Sequence, residues 1–437
     1  MLFRNTPLGI EGVFSLGKLL RAPGGKERRL DSNIVTNSNV APRRGLTLSC
    51  MSIGHAVCHT FDLGIPLLLT AISSSMGLST LQTAGLLAMR HSGSSVSSLA
   101  GGPIVDMLKP YWGKILVVCM IGHIIAFGAA GLSSNYAVLV AVFFLVSIPG
   151  DLWHLPSAAS ISQLFPDKRG FAMSIHGFGS NLGNLIGPVF AGSLLAVNFL
   201  TWNDVFLIYA GIALVAAVFV WISLRNVGEG TSTERPEDIL ARFYNAFRLL
   251  RNPVISLLIF AALLRGIGLT ALFDWTPFYL RETLSFSVGV SGLYFALLTG
   301  MGVVSAPIMG IVSDRLGRNA VLIPGLLLSA LFTFMVVMVN GQVSLLFIML
   351  GIGLFSFALH QIIQAAVLDV VGEGNEATAI GLLFGINGTI GIGAPFIASL
   401  IIENLGGYGS IFYYAGALSA ASALAVIAAR FGVRSNN

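Results

Sequence analysis

Charge is what this chain has least of. Asp, Glu, Lys and Arg make up 10% of its 437 residues, against 55% hydrophobic. A typical soluble domain is about a quarter charged, so this composition cannot clothe a water-facing surface, and a soluble globule is excluded. Cysteine is scarce too: Cys50, Cys58 and Cys119 all fall inside apolar stretches, which argues against a disulfide framework. No Gly-x4-Gly-Lys-Ser/Thr loop occurs, so direct drive by ATP is not expected. The first long apolar run begins too late for a cleavable signal peptide and lacks a small-residue cleavage site.

What the chain does have is apolar length. From about Leu46 to Arg430 the sequence reads as twelve spans, at 46–72, 81–105, 114–133, 136–163, 170–198, 203–224, 253–280, 287–312, 319–339, 343–368, 377–402 and 408–430. A hydrocarbon core of about 30 Å needs roughly 20 apolar residues per helix. Helix is the conformation that satisfies the backbone of such a segment internally. The expectation is an all-α membrane protein of twelve transmembrane helices, with Pro66, Pro149, Pro156, Pro188, Pro277, Pro307 and Pro395 at bends or close contacts.

Basic residues orient it. An even number of spans places both termini on one side. If that side is the cytoplasm, all Lys and Arg except Arg90, Arg265 and Arg281 lie in tails or cytoplasmic loops, as the positive-inside rule requires. The net charge of +5 is thereby explained without nucleic acid. The expected organisation is a basic cytoplasmic tail at 1–44, a bundle at 45–224, a polar linker at 225–252, a second bundle at 253–430 and a short tail at 431–437. The location expected is the plasma (inner) membrane.

The two halves echo each other. Gly102-Pro-Ile-Val-Asp106 closes span 2, and Gly310-Ile-Val-Ser-Asp314 closes span 8. Span 5 carries Asn181-Leu-Gly183-Asn-Leu-Ile-Gly187-Pro188; span 11 answers with Asn387-Gly-Thr-Ile-Gly391-Ile-Gly393-Ala-Pro395. Duplicated halves are how transporters build a site at the bilayer midplane.

On these residues the chain resembles the major facilitator superfamily. Gly310-Ile-Val-Ser-Asp314-Arg315-Leu-Gly317-Arg318 looks like that family's cytoplasmic loop motif. The first-half copy is looser, with Met107 to Trp112 separating Asp106 from Gly113-Lys114. A narrower resemblance, to the fosmidomycin-resistance branch of exporters, rests on His59-Thr-Phe-Asp62, Gly77 to Gly85, Gly170 to His176 and Gly183 with Gly187-Pro188; the branch's His-Pro pair is loosened here to His154-Leu-Pro156. The resemblance implies two pseudo-symmetric six-helix bundles, a path lined by spans 1, 4, 7 and 10, and a latch. In the latch Asp106 and Asp314 would meet the positive N-termini of spans 11 and 5, with Arg315 and Arg318.

The chemistry should lie with ionisable groups inside the membrane, which are expensive there and turn inward. These are Asp62, Arg90, Asp151, Arg265 and Asp274, with all seven histidines: His55, His59, His91, His123, His154, His176 and His360. His55, His59 and Asp62 share one face of span 1. At 1.5 Å per residue, Asp62 and Arg90 lie at matching depths of about 15 and 13 Å from the outer face, so they should pair. Asp62, His59, Asp151 and His154 are the proton-coupling candidates. Arg90, Arg265, His55, His360, Gln361 and Gln364 are the substrate candidates, the two arginines clamping an anion across the cavity. The alternative for Arg265 is Asp274 or backbone carbonyls, and His123 reads as a packing residue.

His55-x3-His59 has metal-ligand spacing, but the remaining histidines read as single and scattered over depth. No metal, cofactor or enzymatic activity is therefore expected. The reading is proton-coupled efflux of a small organic, anionic or drug-like molecule by alternating access. Gradient-driven uptake of an organic anion is the alternative, and a non-transporting membrane sensor the distant one. Protons, the solute and the lipid bilayer are the partners expected, with no nucleic acid and no obligate protein.

Overall fold

The computed structural model describes residues 44–229, 248–371 and 376–429, less the side chains of 103, 106, 376–378, 380 and 381. The two tails and most of the linker therefore lie outside the described residues. Within them the long elements are α-helices: α1 Arg44–Met76, α2 Thr80–Met107, α3 Trp112–Gly131, α4 Tyr136–Leu164, α5 Arg169–Leu195 and α6 Trp202–Leu224 in the first half. The second half holds α7 Pro253–Phe278, α8 Val288–Gly300, α9 Gly302–Leu316, α10 Arg318–Met335, α11 Gln342–Ser356, α12 Ala358–Val371, α13 Glu376–Gly391, α14 Ala394–Asn404 and α15 Ser410–Ala429.

Nine helical stretches among the described residues are long and apolar enough to cross a membrane, or ten if the bent pair α13–α14 is one span. At 28 and 27 residues α2 and α5 are long enough but fall outside that set. Both are rich in Gly and Ser, residues that let backbones approach closely.

Three spans expected as single helices are interrupted. Span 8 breaks at Met301, between Gly300 and Gly302, and span 10 at Phe357. Span 11 bends by 41° between α13 and α14; Pro395 supplies no N–H there, and Gly393 N–H turns back to the Ile390 carbonyl at 3.1 Å. Span 9 ends at Met335, short of the expected 339.

Local chemistry fixes the helix starts. Ser79 and Gln82 form a capping box on α2, as do Thr201 and Asp204 on α6. Asn135 caps α4, Asn252 caps α7 and Ser287 caps α8. Gly317 has φ 92° and ψ 152°, a region that is essentially glycine-only. That conformation turns the chain from α9 into α10. Gly317→Ala should lower unfolding stability by about 1–3 kcal/mol. Gly310→Ala, whose Cβ would meet no described atom within 4 Å, should be neutral or better. Thermal unfolding in detergent checks both.

The two halves approach closely at several points. Gly292 of α8 seats against the backbone of Pro188 and Gly192 on α5. Thr299 Oγ1 donates to the Asn184 carbonyl at 2.9 Å, and Ser95 Oγ to the Gly388 carbonyl at 2.9 Å.

Candidate functional site

The site begins with a glycine stripe. Gly179, Gly183 and Gly187 recur every fourth residue and so share one face of α5. A Cβ on any of them would run into the backbone of α1, at Ser52, Ala56 and Thr60 respectively. Their bareness lets α1 and α5 lie backbone to backbone. This contact fixes the face of α1 that carries His55, His59 and Asp62.

Beside it lies a cavity of about 240 Å³ whose lining includes His59, Asp62, Arg90, His91, Asp151, His154 and Asp274. The first six come from the first half and Asp274 from α7, so the cavity draws charged groups from both. Arg90 Nη2 pairs with Asp62 Oδ1, as their matching depths predict. The same guanidinium reaches Asp274: Nη1 lies 3.7 Å from Oδ1, an ion pair longer than a hydrogen bond. His91 Nε2 lies 2.8 Å from Asp274 Oδ2. One arginine thus holds two carboxylates, one from each half. Asp274 is 1% exposed and Arg90 8%, whereas the Asp62 side chain keeps 41% of its surface open. Ser147 Oγ donates to the Arg90 carbonyl at 2.7 Å.

Four of the seven histidines converge rather than scatter. His55 stacks on His176, with centroids 4.1 Å apart, and presents its edge to His59 at 4.8 Å and His154 at 4.6 Å. Helices α1, α4 and α5 converge here. The glycine stripe brings α5 against α1, which spacing along any one helix cannot reveal. His123 packs face to face on Phe127 and edge-on to Phe61, and it also belongs to the cavity lining.

Other expectations fare differently. Arg265 does not line the cavity; its Nη2 donates to the carbonyls of Phe355 and Ser356 at 3.0 and 3.1 Å. The break between α11 and α12 leaves carbonyls without helical donors, and the buried arginine satisfies them. An Arg90–Arg265 clamp across the cavity is therefore not formed. His360, Gln361 and Gln364 also lie outside the cavity lining; Gln364 Nε2 bonds His360 Nε2 at 2.7 Å, and Gln361 is exposed.

In the loop motif Arg318 pairs with Asp314, one turn away, and its Nε donates to Asp369 Oδ2 at 2.9 Å. Both partners belong to the second half, so Asp314 is engaged within its own half rather than across to α5. Arg315 is exposed. The Asp106 side chain lies outside the described residues, and a Cβ on Gly102 would meet nothing within 4 Å. Gly113 N–H donates to the Val227 carbonyl at 2.9 Å, and a Cβ there would strike the Leu224 carbonyl. Its place in the motif is a close approach of α3 to the end of α6. Lys114 covers the Tyr111 ring at 5.2 Å.

Three positions that contact candidate residues in the structure stand without their partners in the sequence. There His91 has no role, Asn184 figures only within the glycine motif, and Asp369 reads as a helix-end residue. Asp274 carries a signal, as a carboxylate well inside a second-half span, but its partner lies on a helix 183 residues away along the chain.

The family model of the Major Facilitator Superfamily matches residues 51–393 and 301–436. The chain is similar to the Cupriavidus necator protein named "Probable sulfoacetate transporter SauU", at 27% identity over 87% of this chain and 93% of that one. It is also similar to the multidrug resistance protein MdtG of Proteus mirabilis, at 23% identity over 71% of this chain and 78% of that one. Among solved structures, a point mutant of the nucleoside transporter NupG superposes with a TM-score of 0.74 at 14% identity, covering 88% of this chain and all of that one. The all-helical fold is thus that of membrane transporters.

Proposed function

This chain belongs to the Major Facilitator Superfamily, and on that premise we propose that it is a proton-coupled exporter of a small organic anion or drug-like molecule. It works by alternating access between two six-helix halves. The observation that carries this reading is the Arg90 guanidinium held between Asp62 of one half and Asp274 of the other, in the wall of the cavity. A proton or an anionic solute arriving there changes which carboxylate the arginine balances, and so changes the energy of keeping the halves together. Intramembrane charges that pair across a movable interface are the usual elements of such coupling.

In this reading α2 and α5 also span the bilayer, which brings the count to twelve in a 6+6 arrangement. Their lower hydropathy reflects burial against α4 and α1 rather than lipid. Both termini face the cytoplasm of the plasma membrane. Close approach near Pro188, Gly192 and Gly292 then seals the outer side, and the state described faces inward. Uptake of an organic anion is the second reading. It is favoured by the cationic Arg90 in the cavity wall and by the likeness to a protein named for sulfoacetate.

The test is proteoliposomes loaded with a pH-sensitive dye, an imposed proton gradient, and a panel of organic sulfonates, carboxylates and antibiotics including fosmidomycin. Solute-dependent proton flux in the wild type that vanishes in Asp62→Asn supports coupling through the cavity. Solute flux without proton movement removes the coupling. Solute binding without flux replaces transport with sensing.

A further inference from the structure

A cluster of histidines beside the cavity has a use that the ion-pair network does not explain. His55 and His59 stand one turn apart on α1, and His154 faces them from α4. One ligand nitrogen from each can be chosen so that all three lie within 4.8 Å of one another. We infer that His55, His59 and His154 form a binding site for a late first-row divalent cation of the zinc class.

The orientation of the rings supports this. His55 Nδ1 lies 3.0 Å from the His176 carbonyl, an acceptor, so Nδ1 carries the proton. His59 Nδ1 lies 2.8 Å from Asn184 Oδ1 and is held as a donor in the same way. A neutral imidazole that donates from Nδ1 has its lone pair on Nε2. Among the described residues, the Nε2 atoms of His55 and His59 are both buried without a hydrogen-bond partner. Two imidazoles fixed by a carbonyl and an amide oxygen, with bare Nε2 atoms beside a third, reproduce the outer-shell pattern of metal-bound histidines.

The donor set chooses the ion. Three imidazoles suit zinc, copper, nickel or cobalt, whereas magnesium and calcium take oxygen ligands. Tetrahedral zinc with nitrogens at about 2.0–2.1 Å brings them about 3.3 Å apart. The three nitrogens, now within 4.8 Å of one another, would close to that spacing on binding. His59 and His154 also line the cavity, so the fourth coordination position opens towards it, where a water or an anionic oxygen can sit. His176, stacked on His55, braces the site from α5.

This inference does not depend on transport, so its test needs none. All seven histidines of the chain lie between residues 55 and 360, so untagged full-length protein in detergent has no histidine in either tail to confuse titration. Calorimetry with Zn²⁺ should find one ion per chain. His59→Gln and His154→Gln should each weaken binding at least about 100-fold, and Asn184→Ala about 10-fold. His123→Gln, on a packing histidine outside the set, should leave binding unchanged. Should the ligand variants fold poorly, Co²⁺ added to the wild type reads the geometry directly. Intense visible bands of four-coordinate cobalt without a thiolate charge-transfer band support the site. Absence of binding, binding retained in both ligand variants, or a weak six-coordinate spectrum overturns it.

Discussion

Arg90→Ala should destabilise the protein by about 3–5 kcal/mol, the range seen when one partner of a buried ion pair is removed, and abolish transport. The loss falls mainly on Asp274, which is 1% exposed and, among the described residues, would keep only His91 as a partner. Asp62, with 41% of its side chain open to the cavity, remains hydrated. The double variant Arg90→Ala/Asp274→Asn should therefore recover most of the stability and none of the transport. Arg90→Lys should retain part of the stability but little activity, since an ammonium is a point charge without the guanidinium fork that faces both halves. Thermal unfolding together with flux in proteoliposomes measures the cycle. Full activity in Arg90→Ala, or a double variant no more stable than the single, would remove the arginine from the centre of the site.

The second large effect belongs to a glycine. At Gly183 an added Cβ meets the carbonyl of Ala56 and comes within 2.7 Å of His59 Cβ, so α1 and α5 must move apart. Overpacking of this kind costs about 1–3 kcal/mol, and Gly183→Val should exceed Gly183→Ala. The expected result is loss of folded yield for valine and reduced transport for alanine. The same change at Gly177, where a Cβ meets nothing within 4 Å, should be silent. Fluorescence-detected size exclusion and the proton-flux assay separate the two positions. A tolerated Gly183→Val would mean that the α1–α5 contact is dispensable.

The sequence discloses what depends on local period. Apolar length marks most of the helices, and the i, i+4, i+7 spacing puts His55, His59 and Asp62 on one face. Matching depths on neighbouring spans are enough to pair Asp62 with Arg90. The misses share a physical origin, which is that they depend on how helices from distant parts of the chain meet. Arg265 reads as a cavity residue because depth alone says nothing about which side of α7 it faces; the broken α11–α12 helix claims it instead. The convergence of His154 and His176 on α1 needs the glycine stripe to be read as a packing surface rather than as a family signature. The breaks at Met301, Phe357 and Gly391–Gly393 are hidden because apolar composition continues through them.

Asn184 has one further consequence. Its side-chain oxygen holds His59, while its backbone carbonyl accepts from Thr299 in the other half. A single residue is thus fastened to a histidine on α1 at one end and to the opposite bundle at the other. Under the proposed alternating access, separating the bundles would break the Thr299 contact on the same residue that holds His59. Thermodynamic reciprocity makes the two influences equal: whatever factor occupancy at His59 applies to bundle separation, separation applies to that occupancy.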